Sequence, residues 1–327
     1  MAIGSGIGAQ LGIVAETTFN NLVTVTRFLE FTQENIQYNK KVVVGQGLRA
    51  GGKVPRSQRR VVATTDASGD FTLDLPTRGL GLLLSFATGT TASVVTTTTG
   101  VYSYTFTLAD LLGKSFTTQI GVPQYGGTVT PKTFGGCKVT SWELSAPAGG
   151  IVTGKFNIDA ASTTTGVSLA TASYPAASSN NLFNFSQGAI TRNGSSIANV
   201  KDFSVTIDNA LKTDRFNFGS SGIKAEQVIA GFRKISGKLN VEFSDTVLLG
   251  DFLADTAANL VLTFTGAVIA NGQSEKLVIT VPAAKFNADT PNVAGPGVID
   301  LAMTFDAYDD GTNEPLTIQY QTADSAL

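Results

Sequence analysis

The chain contains no histidine and a single cysteine, Cys137, in 327 residues. Without histidine there is no Ser-His-Asp or Cys-His relay and no His-ligated zinc or iron. With one cysteine there is no intrachain disulfide and no thiolate cluster. No metal or organic cofactor is expected, and only carboxylate, lysine or tyrosine chemistry is left. Charge is also sparse: 15% of residues are charged and the formal net charge is -2. That balance does not suit a protein that grips nucleic acid electrostatically. The one tryptophan, Trp142, makes no sugar-stacking platform and is expected in a core or interface. Long apolar runs are missing too. The densest, Gly79 to Ala87, is about half of the roughly 18 residues a spanning helix needs. The start, Met1 to Gly8, lacks the basic and apolar regions of a signal peptide. The expectation is a soluble chain made in a cytoplasm, with no membrane insertion.

What the chain does contain is β pattern. Threonine is frequent, and period-two alternation recurs at 71–75, 102–108, 115–122, 138–145, 155–160, 202–208, 238–244, 260–266, 276–282 and 298–307. Such alternation sends one side-chain set inward and the other to water, as in half-buried antiparallel strands. Helical signals are few. Leu80 to Phe86 reads as one short helix. Thr246 to Asp255 reads as another, with Leu248, Leu249, Phe252 and Leu253 on one face.

The two halves of the chain resemble one another. Ser68-Gly69-Asp70-Phe71-Thr72-Leu73-Asp74-Leu75 matches Ser236-Gly237-Lys238-Leu239-Asn240-Val241-Glu242-Phe243 without a gap. Each match follows an alternating strand and a long loop, 39–60 or 210–233, and precedes a helical segment. After the helix, Tyr104-Thr105-Phe106-Thr107 is set against Leu262-Thr263-Phe264-Thr265, Val122-Pro123 against Val281-Pro282, and Gly135-Gly136 against Gly295-Pro296-Gly297. These correspondences predict an internal duplication. The first domain spans 1–160 with an N-terminal arm, the second 182–327, and 161–181 is a Ser/Thr/Ala-rich linker with at most one short strand.

Two groups of residues are candidates for function. The loop from Asn39 to Val61 carries Lys40, Lys41, Arg49, Lys53, Arg56, Arg59 and Arg60, with no acid between Glu34 and Asp66. It reads as an arm that docks on an acidic neighbouring surface, as a nucleic-acid contact, or as a solvated loop. No aromatic residue between Tyr38 and Phe71 is there to stack on bases. The second group is the polar side of the matched strands. With Phe71, Leu73 and Leu75 inward, Thr72 and Asp74 point outward, and Asn240 and Glu242 take the same places in the second half. Thr105, Thr107, Thr117, Gln119, Thr263 and Thr265 are expected to extend this face. A hydroxyl- and carboxylate-lined surface would repel a phosphate backbone; an ordinary solvated sheet face is the other reading. Asp251/Asp255 and Asp309-Asp310 fit helix ends and turns better than a glycosidase pair. Cys137 reads as a small packed residue.

Gly8-Ala9-Gln10-Leu11-Gly12-Ile13-Val14-Ala15-Glu16-Thr17, the aromatic strand Arg27 to Phe31, the basic loop, the Ser-Gly-Asp-Phe strand and the Leu-rich helix form an ordered series. With Asp208-Asn209-Ala210, Gly231 to Gly237 and Phe305-Asp306-Ala307, this series resembles bacteriophage tail tube (major tail) proteins of the double-domain type. The resemblance implies a mainly β fold of two tandem sandwich- or barrel-like domains, each with one short helix. It also implies a structural, non-enzymatic role. Rings, as homotrimers of double-domain chains or as homohexamers, would stack into the hollow tail tube of a virion assembled in the host cytoplasm. Implied partners are the chain itself, tape measure and tail terminator or tip proteins, and viral DNA passing without specific binding. The 39–60 residues would lie between rings, and Asp74, Glu242, Thr72 and Asn240 would face the lumen. A carbohydrate-binding or adhesin β-sandwich, or an outer-membrane porin, also fits the strands. The porin lacks a signal peptide and enough Trp and Tyr for two girdles.

Overall fold

The computed structural model describes residues 5–327 except 125, 198, 289, 290 and 294. The first four residues of the expected N-terminal arm lie outside the described residues. The described chain is mainly β with two α-helices, one in each half. β1 (Gln10–Ala15), β2 (Arg27–Leu29), β3 (Gln33–Glu34), β4 (Gln37–Val44) and β5 (Arg60–Asp74) precede α1 (Gly81–Thr88). β6 (Ser93–Thr98), β7 (Val101–Thr107), β8 (Phe116–Pro123), β9 (Val129–Ala146), β10 (Thr153–Ala160) and β11 (Ser162–Thr164) follow. Then come β12 (Gly188–Arg192), β13 (Ser195–Ser196), β14 (Val200–Asp208), β15 (Leu211–Lys212), β16 (Val228–Ile229) and β17 (Lys234–Glu242). α2 (Val247–Leu253), β18 (Ala258–Ala270), β19 (Gln273–Ala288), β20 (Asp300–Ala307) and β21 (Thr317–Thr322) end the chain. Every segment whose alternation predicted a strand falls on one.

Pairing is antiparallel throughout the large sheet. One run goes β4–β5–β10–β9–β14–β17–β20–β19, so that the β9–β14 pair, Phe203 to Asp208 against Ala146 to Ser141, joins the two halves edge to edge. The long strands β9 and β19 also serve further strands. The first part of β9 pairs with β8, which pairs with β1. The first part of β19 pairs with β18 and with β21, which reaches β7 of the first half. Strands that change sheet need a bend or a bulge. On β9 the change comes at Gly136, with φ +60 and so little room that an added Cβ would lie 2.9 Å from Ala161 and Phe19. On β19 it comes at Pro282, which has no N–H to give to a ladder.

The core follows from the same alternation. Phe71 stacks on Phe156 and Phe156 on Trp142, all buried, as expected for the lone tryptophan. Cys137 is buried with Sγ against the Phe134 carbonyl, and burial pushes its thiol far up. α1 is apolar and buried on most sides. It stops at Gly89 (φ 85), where any side chain would meet the Ala109 carbonyl. α2 keeps Leu248, Leu249 and Phe252 of its predicted face against the core, but Leu253 is 74% exposed and Asp251 is buried instead. The reason is Arg192, whose guanidinium grips both Asp251 oxygens and turns that side of the short helix inward. Glu16, in the opening motif, is also buried. Its carboxylate accepts from Ser115, Thr117 and the Gly136 and Asn20 amides at 2.7–2.9 Å, tying the N-terminal segment to β8 and β9.

The Ser/Thr/Ala-rich join carries the one short strand expected of it, β11, but it does not hang free. Gln119 donates to Ser168 O and accepts from Ala170 N, while Gln10 donates to Ala170 O. Tyr174 meets Phe28 edge-on.

Gly237 on β17 sits where an added Cβ would be 2.3 Å from Phe305 Cζ and 2.5 Å from Ser204 O. The backbone oxygen cannot yield, so Gly237→Ala should destabilise the chain by about 1–3 kcal/mol. Urea unfolding checks this; an unchanged midpoint would contradict the packing.

Candidate functional site

The basic segment is not a loop over its whole length. β4 and the start of β5 pair from Gln37↔Ser68 to Val44↔Arg60, forming a two-stranded arm whose tip is 45–59. Lys40, Lys41, Arg49, Lys53, Arg56, Arg59 and Arg60 are all exposed on it. So are Val43, Val44, Leu48, Val54, Val61 and Val62. A lone hairpin with apolar side chains in water is marginal at best. Its composition therefore fits a covering surface, and the described residues of this chain supply none.

The polar side of the sheet carries the other candidates. Phe71, Leu73, Leu239 and Val241 are buried on the opposite side. Thr72, Asp74 and Asn240 are half-buried and Glu242 is exposed. Lys201 lies 3.3 Å from Glu242 and 2.6 Å from Asp300, and Asn240 donates to Asp202 at 2.7 Å. The expectation of a face without cations is corrected. The row through Thr72 continues across the sheet as Lys155, Glu143, Thr206, Ser236 and Asp306, and the row through Asp74 includes Lys238. The face is mixed in charge, with cations set among the acids. Thr117 and Gln119 do not belong to it. Both are buried, where Thr117 serves Glu16 and Gln119 bonds Thr133. Thr105, Thr107, Thr263 and Thr265 lie on β7 and β18, outside the eight-strand run.

A third site was not anticipated. The second long loop, 213–227, does not project. It folds back over the first half, with Thr65 N donating to Gly222 O at 3.0 Å. Lys224 is buried between Asp159 at 2.7 Å and Asp66 at 2.8 Å. Gln227 donates to the other Asp159 oxygen at 2.6 Å. Lys138, fully buried, donates to Glu226 at 2.6 Å and to the carbonyls of Leu111 and Gln227. Burial raises the Asp159 carboxyl, against the pull of Lys224 and Gln227. Burial lowers the Lys138 ammonium, against Glu226. Beside this clamp, buried Asn209 donates to the carbonyls of Ala87 and Val139. These groups lock the β9–β14 seam. Their signal in the sequence was Lys224 and Glu226 in a loop that also holds Asp214 and Arg215, which needs a partner surface to interpret.

Asp309-Asp310 is a turn, as expected. Asp310 Oδ1 accepts from the Thr312 and Asn313 amides. No group of metal-binding side chains occurs among the described residues, and no helix among them is long and apolar enough to cross a membrane.

A family model described as phage tail tube protein matches residues 6–307. No curated protein matches the chain. The chain belongs to the phage tail tube protein family, a structural family of the virion tail.

Removing one partner of a buried ion pair leaves the other charge uncompensated. Lys224→Met should therefore cost about 3–5 kcal/mol. Lys234→Met, which removes an exposed partner of Asp306, should cost at most about 1 kcal/mol. Equal losses in urea unfolding would contradict the clamp.

Proposed function

We propose that this member of the tail tube family closes rings of three chains that stack into the hollow tube through which viral DNA leaves the virion. The observation that carries this reading is the β9–β14 seam. It joins the halves by edge-to-edge pairing, and the same run ends in two further edges. β4 pairs only with β5, and the 285–287 stretch of β19 only with β20, among the described residues. An open β edge pairs with whatever fits it. Meeting of β4 with β19 of the next chain repeats the seam and closes the ring.

Ring closure by three chains requires the halves to be equivalent, with domains at 1–160 and 182–327 joined by 161–181. Strand pairing supports that. Reading outward from the Ser68/Ser236 match, β14–β17–β20–β19 repeats the order β4–β5–β10–β9. This alignment departs from the sequence correspondences beyond the helix. It sets β18, β19 and β20 against β8, β9 and β10, and leaves the β6–β7 hairpin, with Tyr104 to Thr107, without a counterpart.

The polar face, with Thr72, Asp74, Asn240 and Glu242, then lines the lumen. Interspersed acids, amides, hydroxyls and lysines give phosphates no continuous basic track to bind. The 45–59 tip, with its basic residues and uncovered valines, docks on a neighbouring copy. Tape measure and terminator or tip proteins are the remaining partners, and assembly takes place in the host cytoplasm.

Two measurements check this. Negative-stain microscopy of the purified chain without detergent should show hollow rings or tubes. Deletion of 45–58 should leave the chain folded by circular dichroism and abolish tubes. Normal tubes from the deletion would remove the arm from assembly, and glycan-dependent dispersion without rings would favour the adhesin reading.

A further inference from the structure

The clamp that locks the internal seam has a second, unfilled copy. The pairs Val43↔Val61 and Val44↔Arg60 at the base of the arm tip correspond to Leu211↔Ile229 and Lys212↔Val228 at the base of the second loop. The loops they close, 45–59 and 213–227, are equal in length. Both turn on a glycine in the left-handed region at the same place, Gly51 (φ 75) and Gly219 (φ 86). The alignment then runs without a gap to Ser68-Gly69 and Ser236-Gly237. It sets Arg56 against Lys224, Gln58 against Glu226 and Arg59 against Gln227.

Two groups of the receiving side are duplicated too, while Asp66, the other acid on Lys224, has Lys234 as its counterpart. Asp159 stands opposite Ser68 on β5 and Lys138 on β9. Asp306 stands opposite Ser236 on β17 and Lys285 on β19. The first pair is buried under the 213–227 loop, whereas the second is open. Among the described residues Asp306 has only Lys234 at 3.3 Å as an ion-pair partner, and Lys285 only Asp255 at 2.7 Å, both partners being exposed. Beside Asp306 and Lys234, Phe232 is fully exposed. Its counterpart Thr64 is half-buried beside the strip where Gly222 bonds Thr65.

We propose that Lys285 and Asp306 form a socket for the 45–59 loop of a neighbouring copy of the chain. Arg56 takes the place of Lys224 on Asp306, Arg59 that of Gln227, and Gln58 that of Glu226 opposite Lys285. Donors replace donors and an acceptor replaces an acceptor. Two guanidiniums on one carboxylate, with an amide oxygen on the ammonium, match the contacts made to Asp159 and to Lys138 in the internal clamp. The second carboxylate on Lys224, Asp66, has Lys234 at its place, so Arg56 and Arg59 share the single acid Asp306. The proposal rests on the ring reading and deepens it, because it puts this loop on the lateral neighbour within a ring.

Cysteine pairing tests the contact directly. Arg56→Cys and Asp306→Cys chains, mixed in assembling conditions and mildly oxidised, should give a disulfide-linked dimer. Each variant alone should not, nor should Arg56→Cys mixed with Asp159→Cys. Native Cys137 is buried and does not compete. Arg56→Glu and Asp306→Arg, each confirmed as folded, should reduce sedimentable assembly on the order of tenfold or more, and the double variant should restore it. Assemblies that form without the 56–306 cross-link, or that survive Arg56→Glu, overturn the socket and leave the tube reading standing. Cysteine variants that do not cross-link, together with a wild-type chain that does not assemble, overturn both.

Discussion

The structure depends on the seam between its halves. Six residues of β14 run along the end of β9, and with the β7–β21 ladder they make one body of two β units otherwise tied by a string of Ser, Thr and Ala. Backbone pairing alone does not fix how two edges meet, since a slip by one residue turns every side chain to the other face. The buried charges supply the register. Lys224 reaches Asp159 and Lys138 reaches Glu226 in only one alignment, and a mismatched one would bury each of them unpaired. Such pairs are weak evidence for stability but good devices for specificity.

The same device explains the division of labour between the two long loops. One is used within the chain and is packed down. The other carries basic residues and uncovered valines and stands away from its own body. A self-assembling subunit has to leave its edges open until a partner arrives, and open edges invite aggregation. Absence of histidine and a lone buried cysteine are consistent with a protein whose task is shape and fit.

Much of this was legible in the sequence because period-two alternation is a local property. All ten alternating segments are strands, and both short helices fall where apolar runs predicted them. The polar faces of Thr72, Asp74, Asn240 and Glu242 followed from their inward neighbours. What could not be read was which strands adjoin which. Thr117 and Gln119 alternate like surface residues, yet they are buried against Glu16 and the join. The cations on the polar face come from strands whose neighbours only pairing reveals. Leu253 was assigned to the wrong side of α2 because Asp251 is drawn inward by Arg192, a residue far away in sequence. The clamp was missed for the same reason: Lys224, Asp159, Lys138 and Glu226 belong to three separated stretches.

The central claim is that the two halves act as equivalent units, so that three chains complete a ring. A helical reconstruction of assembled tubes by electron cryomicroscopy measures this directly. The account predicts threefold rings with six similar units and β4 of each chain paired to β19 of the next. Six chains per ring, with one half of each on the outside of the tube, would contradict it.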